Sequence, residues 1–107
     1  LVAICESDWA QCSPEDYIDK TGESGTIVIQ MNPFSNYTPK CITVKVGQSV
    51  SIGVGGSHPF EVQCSEPGQG SSTEGSFEEL VTLTVPGYYN YRCERHSSMK
   101  GNIQVVP

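Results

Sequence analysis

The chain has 107 residues, with 6 Lys plus Arg against 12 Asp plus Glu and a formal charge of -6. That length supports one domain with a single core, the acidic balance argues against binding a phosphate backbone, and no run approaches the ~20 apolar residues of a bilayer-spanning helix. No nucleic-acid partner and no membrane span are therefore expected. The opening Leu1-Val2-Ala3-Ile4-Cys5 lacks the basic and apolar regions of a leader, so the expectation is a mature chain from which any signal peptide has been removed.

The first twenty-five residues differ from the rest. Ser13-Pro14-Glu15-Asp16 places a capping serine before a proline at the first helical position, with acidic residues in the first turn. This predicts one or two short helical turns through about Lys20, ended by Gly22 and Gly25. Residues 1–25 are expected to form an extension, with a domain over 26–107. From Thr26 the pattern turns to short β segments: 26–31, 41–46 and, after the Gly47-Gln48 turn, 49–54. Ile42, Val44 and Val46 alternate with polar neighbours, as do Val50, Ile52 and Val54, giving each strand one core face. A fourth strand is predicted from His58 to Cys64, a loop over 65–76, further strands over 77–85, Tyr88 to Cys93 and Gly101 to Val106. Seven or so such strands with Gly/Pro turns predict an all-β Greek-key sandwich or small barrel.

Five cysteines in so short a chain point to an oxidising compartment, with four paired and one left as a thiol. Cys5, Cys12, Cys41 and Cys64 are the expected disulfide set, which permits three connectivities. The pairing Cys12–Cys41 with Cys5–Cys64 would pin the N-terminal segment to the sheet at two points, and is the one expected. The local pairing, Cys5–Cys12 with Cys41–Cys64, is its main rival.

The chemistry concentrates in Tyr91-Arg92-Cys93-Glu94-Arg95-His96-Ser97-Ser98-Met99-Lys100-Gly101. Cys93, His96 and Met99 lie three residues apart between two predicted strands, where a loop can aim thiolate, imidazole and thioether at one point. The second imidazole can come only from His58, the other histidine of the chain. Taken singly, His58 reads as a loop histidine, Met99 as core filling and Cys93 as half of a disulfide. Together they read as one metal site. A thiolate with two imidazoles and a weak axial thioether suits Cu(I) and Cu(II) alike. Zinc is the chief competitor, although a thioether is a poor zinc ligand. The other cysteines lack iron–sulfur spacing, and Cys93-Glu94-Arg95-His96 lacks the first half of a haem-attachment motif.

Phe34 to Val54, His58, Pro86-Gly87-Tyr88-Tyr89-Asn90-Tyr91 and Cys93, His96, Met99 through Val105 carry a resemblance that covers about residues 26 to 107. Over these positions the chain resembles the cupredoxins, or blue copper proteins, of the plastocyanin, pseudoazurin and amicyanin kind, with a two-residue gap between His96 and Met99 like that of amicyanin. The resemblance implies a single-electron carrier, not an enzyme. One type 1 copper per chain would be held by His58, Cys93, His96 and Met99. Larger redox proteins, such as a cytochrome, oxidase or reductase, would be donor and acceptor. It further implies that electrons leave through His96 in an apolar patch for which Pro59, Phe60 and Met99 are candidates, Phe60 equally being ordinary strand core. Nothing in the sequence requires more than a monomer, and the disulfides with Arg92 favour a bacterial periplasm or the cell exterior over a plastid. A periplasmic copper-binding or copper-delivery protein is the alternative. Three features depart from the family pattern. Pro59 has no N–H to offer the cysteine sulfur. Arg92 stands where plastocyanin has an aromatic residue associated with docking. The segment containing Cys5 and Cys12 is an addition.

The basic side chains Arg92, Arg95 and Lys100 crowd the same loop, whereas Val46 to Tyr91 holds five glutamates and no Lys or Arg. Such a tip on an acidic body could steer a partner.

Overall fold

The computed structural model describes residues 4–32, 36–54, 60–69 and 79–107. The strands are β1 (Ile18–Asp19), β2 (Ile27–Asn32), β3 (Asn36–Thr38), β4 (Cys41–Lys45), β5 (Ser49–Val54), β6 (Phe60–Ser65), β7 (Glu79–Thr82), β8 (Gly87–Cys93) and β9 (Lys100–Val106). They form two layers, a five-stranded sheet in the order β1-β4-β9-β8-β6 and a four-stranded sheet in the order β3-β2-β5-β7. This is the expected all-β sandwich. Between the layers lie Ile27, Ile29, Ile42, Val44, Val50, Ile52, Val81, Leu83, Ile103 and Val105, together with an aromatic cluster around Tyr91. The alternation that marked Ile42 and Val44, and Val50 and Ile52, is the alternation that buries them.

Two local expectations need correction. Helix does not run through Lys20: one 3-10 turn, Pro14–Asp16, is followed directly by β1, which pairs in parallel with β4 through Ile18↔Ile42 and Asp19↔Thr43. The Asp16 carboxylate accepts hydrogen bonds from the Ser13 backbone N–H at 2.9 Å and from its hydroxyl at 2.7 Å. The cap is real, but no apolar residues follow at helical spacing to bury a longer helix. The short β3, which hydrogen-bonds to β2 through Met31↔Tyr37, was not expected either. The strand predicted from His58 begins, among described residues, at Phe60, and the one predicted from Phe77 at Glu79; residues 58–59 and 77–78 lie outside the described residues.

The N-terminal segment covers the outer face of the five-stranded sheet. Both long-range disulfides have the expected pairing, Cys5–Cys64 and Cys12–Cys41. Strand register shows how they cooperate: Cys41 lies opposite Asn102, Asn102 opposite Asn90, and Asn90 opposite Cys64, one continuous row across β4, β9, β8 and β6. The cysteines at its ends hold the segment covalently. The asparagines between them bind its backbone, each donating its amide to the Glu6 carbonyl, at 2.9 Å from Asn90 and 3.0 Å from Asn102, while the Glu6 N–H donates to Asn90 Oδ1 at 3.0 Å. Asn102 also donates to the Tyr17 hydroxyl at 2.8 Å, and that hydroxyl donates to the Ser7 carbonyl at 2.6 Å. Burial pushes the Tyr17 phenol up to about 12 despite the Asn102 hydrogen bond. The Asn90 and Asn102 amides and the Tyr17 hydroxyl thus all find partners in this layer, which is what makes their burial tolerable.

A buried carboxylate completes the attachment. Glu66 is only 6% exposed, and its oxygens accept from the backbone N–H groups of Ile4 at 3.1 Å, Cys5 at 3.0 Å and Tyr88 at 3.5 Å. Desolvation alone would raise its pKa. The Cys5, Ile4 and Tyr88 donors outweigh it and hold the carboxyl below the usual value. Gly87 lies against the Glu66 side chain at φ 134°, a backbone setting and a closeness that leave no place for a β-carbon.

Candidate metal centre

Cys93 ends β8 and Lys100 begins β9, so the loop between them is held at both ends by paired strands, the last pair being Arg92↔Lys100. The loop also closes on itself. The Cys93 N–H donates to the Met99 carbonyl at 2.8 Å, and the Met99 N–H to the His96 carbonyl at 2.9 Å. These bonds bring residues separated by three positions to one side of the sandwich. Cys93 is the free cysteine of the chain and is fully buried. Its Sγ lies 3.6 Å from His96 Nδ1. Met99 is 3% exposed, whereas the His96 side chain faces solvent.

The spacing of the two described strong donors can be tested against a shared ion. Metal bonds of about 2.3 Å to a thiolate and about 2.0–2.1 Å to an imidazole, meeting at about 110–120°, separate sulfur from nitrogen by roughly 3.6–3.8 Å. The observed 3.6 Å fits. Of the four expected ligands, Cys93 and His96 are thus brought side chain to side chain, and Met99 is joined to both through backbone hydrogen bonds; His58 lies outside the described residues, as does Pro59. Among the described residues no group of three or more His, Cys, Asp or Glu side chains converges.

Aromatic rings wall the site from the core. Tyr91, two residues before Cys93, meets Tyr37 edge-on at 4.8 Å between ring centroids and Phe60 at 6.1 Å, and Phe60 lies opposite Cys93 in the β6–β8 register. Phe60 is fully buried, so Phe60 and Met99 are core residues and do not form the exposed apolar patch expected of them. Gly101, opposite Tyr91, is overlaid by the tyrosine ring, and a β-carbon there would overlap it. The Tyr37 and Tyr91 hydroxyls are buried with no hydrogen-bond partner among the described residues. Burial raises both phenols well above their ordinary pKa, with the Cys93 charge adding to the effect at Tyr37 and the neighbouring tyrosines adding to it at Tyr91.

The basic tip is less free than the sequence suggests. Arg92 is engaged by its cross-strand neighbour Glu61, at 2.7 Å from Nη2 and 2.9 Å from Nε, and the Lys100 ammonium sits 4.3 Å from the centroid of the Trp9 ring. Sequence reasoning missed Trp9, Glu66, Asn90 and Asn102. Polar residues in strands read as solvent-facing, and only the register reveals Asn90 and Asn102 as a cross-strand pair beneath a covering segment.

No protein-family model and no curated protein matches the sequence. Solved structures do. The chain is similar to the copper-containing nitrite reductase of Thermus scotoductus, with 26% identity and a TM-score of 0.62, covering 79% of this chain and 23% of that one. It is similar to pseudoazurin from Methylobacterium extorquens, with 20% identity and a TM-score of 0.60 over 76% of this chain and 75% of that one. Amicyanin from Paracoccus versutus shares 21% identity at a TM-score of 0.57, over 78% and 84%. The two-layer topology and these likenesses define a cupredoxin-type fold. Within it the chain is related to the amicyanin, pseudoazurin and nitrite reductase structures. It spans about a quarter of the reductase, and about three quarters or more of the amicyanin and pseudoazurin chains.

Proposed function

We propose that this protein is a single-electron carrier between larger redox proteins, using one copper ion held by His58, Cys93, His96 and Met99. The observation that carries the reading is a buried thiol, left over from two disulfides, at metal-sharing distance from His96 Nδ1. Sequence position supports including His58: it is the other histidine of the chain and stands two residues before Phe60, the register partner of Cys93.

When bound, the copper supplies a couple that gains or loses one electron without making or breaking a bond to substrate. The protein supplies the rest. Cys93 offers a thiolate from a dry position, Met99 a weak thioether, and His96 an imidazole that reaches solvent. Strand ends and the Cys93–Met99 hydrogen bond limit movement of the loop, while Phe60, Tyr37 and Tyr91 keep water from the core side. On this reading Cys93, His96 and Met99 act as coordinating groups. Two disulfides support an oxidising compartment, and the bacterial origin of the named structural neighbours favours the periplasm or exterior of a bacterium.

The test is to load Cu(II) into wild type, Cys93→Ser and Met99→Gln and to follow redox cycling with a chelator present. The carrier reading expects retention of copper through many cycles in wild type, loss of fast electron transfer in Cys93→Ser, and a shifted potential in Met99→Gln. Native redox behaviour without Cys93 would sink it. Rapid surrender of the reduced ion from wild type would assign copper delivery instead.

A further inference from the structure

Trp9 reaches beyond the row of anchors at Cys41, Asn102, Asn90 and Cys64 and touches both flanks of the ligand loop. Its indole N–H donates to the Tyr91 carbonyl at 2.9 Å, two residues before Cys93. Its ring lies under the Lys100 ammonium, one residue after Met99. Trp9 has little freedom to swing away. It sits in a turn closed by the Gln11 N–H on the Asp8 carbonyl at 2.9 Å, with Gln11 at φ 61°, and the disulfides of Cys5 and Cys12 bracket it in the chain.

We propose that Trp9 is a positioning residue for the Cys93–Met99 loop, and that the N-terminal segment splints the loop in its ligand-presenting shape before any metal arrives. The loop's importance rests on the function proposed above; the splint itself is a property of the metal-free protein. Without it, the loop would be tied through its internal contacts, among them the Cys93–Met99 and Met99–His96 backbone bonds, and the strand ends. With it, both ends are also fastened to a segment welded to β4 and β6. A loop held in its bound shape loses less conformational entropy when a ligand closes it, so the segment would tighten metal binding without touching the metal. On this account the addition is part of the site as well as a source of durability.

The test uses metal-free protein with both disulfides intact. Trp9→Phe keeps an aromatic ring and removes the N–H donor, and Lys100→Met keeps the stem and removes the cation. Tyr17→Phe serves as control, because it removes the hydroxyl's hydrogen bonds to the Ser7 carbonyl and from Asn102, both within the segment's anchoring layer and outside the 93–99 loop. The readouts are amide hydrogen exchange at Cys93 and Met99 and the reaction rate of Cys93 with 5,5'-dithiobis(2-nitrobenzoate) at fixed pH. Both should quicken about five- to tenfold in Trp9→Phe and about threefold in Lys100→Met, with Tyr17→Phe at wild-type rates. Unchanged loop rates in a folded Trp9→Phe protein would overturn the proposal, as would an equal acceleration in Tyr17→Phe at matched global stability. If Trp9→Phe does not fold, Lys100→Met decides, because unchanged rates there contradict a two-sided splint. A wild-type protein that takes up no copper would defeat the electron-carrier reading while leaving these rates to be explained by the splint.

Discussion

Replacing Glu66 by Gln keeps the side chain's shape, removes its charge and puts an NH2 where one acceptor oxygen stood. Its two shortest hydrogen bonds come from Ile4 N–H to Oε1 at 3.1 Å and from Cys5 N–H to Oε2 at 3.0 Å; the third, from Tyr88, is 3.5 Å long. Breaking a hydrogen bond to a charged group costs about 1.5–3 kcal/mol, and the amide can keep one neutral bond while turning a donor toward a buried donor. The expected loss is about 2–3 kcal/mol at pH 7, a fall in Tm of about 10–20 °C for a domain of this size. Thermal unfolding followed by far-ultraviolet circular dichroism, with disulfides intact, measures it. The pH dependence adds a second constraint. The folded-state pKa of Glu66 lies below its ordinary value of 4.5, so its stabilisation is complete above that value and is lost as pH falls through the lower folded value. The gap between wild type and Glu66→Gln should therefore be widest near neutrality and close in acid. A gap under about 0.5 kcal/mol at pH 7, or one that does not change with pH, would refute the reasoning.

Gly101→Ala drives a β-carbon into the Tyr91 ring, and should cost about 3 kcal/mol or more in urea unfolding because that ring is fixed between Tyr37 and Phe60. An Ala variant of wild-type stability would show that the ring moves freely. Tyr91→Phe removes a buried hydroxyl without a partner among the described residues, so the same assay should find it neutral or about 1 kcal/mol more stable. A clear loss would mean that the hydroxyl is satisfied. Removing the Cys12–Cys41 bridge by a double Ser substitution opens a closure across 29 residues, worth about 3.6 kcal/mol in the chain-entropy account. Denaturant unfolding under non-reducing conditions checks this, and a loss below about 1 kcal/mol would show that the Cys5–Cys64 bridge with Asn90, Asn102 and Glu66 holds the segment without it.

The parts of the fold and site that the sequence discloses are those whose signals are local. Ile42 and Val44 announce their core face by alternation, and Cys93, His96 and Met99 announce a loop site by even spacing between two strands. Attachment of the first residues to a sheet favours the observed disulfide pairing over its local rival, but the physical basis of that pairing lies in a register that joins Cys41, Asn102, Asn90 and Cys64 across four strands. No periodicity within one strand encodes that row. β1 was concealed for a related reason: Ile18 and Asp19 are both exposed, and what makes them a strand is backbone pairing with β4. Phe60 shows why an aromatic beside a site reads equally as surface or core from sequence when its strand partner, Cys93, is far away in the chain; the structure buries it. Trp9 carried no signal at all, because a lone tryptophan in a polar segment does not say which carbonyl it will meet.

The most direct measurement is titration of the purified, metal-free protein with Cu(II), recording visible absorption and electron paramagnetic resonance spectra. The account predicts one copper per chain, an intense thiolate-to-copper band in the red and a narrow copper hyperfine splitting, all absent from Cys93→Ser. Folded wild-type protein that shows no such band would contradict the assignment of Cys93 as a copper thiolate and return the loop to a zinc or metal-free reading.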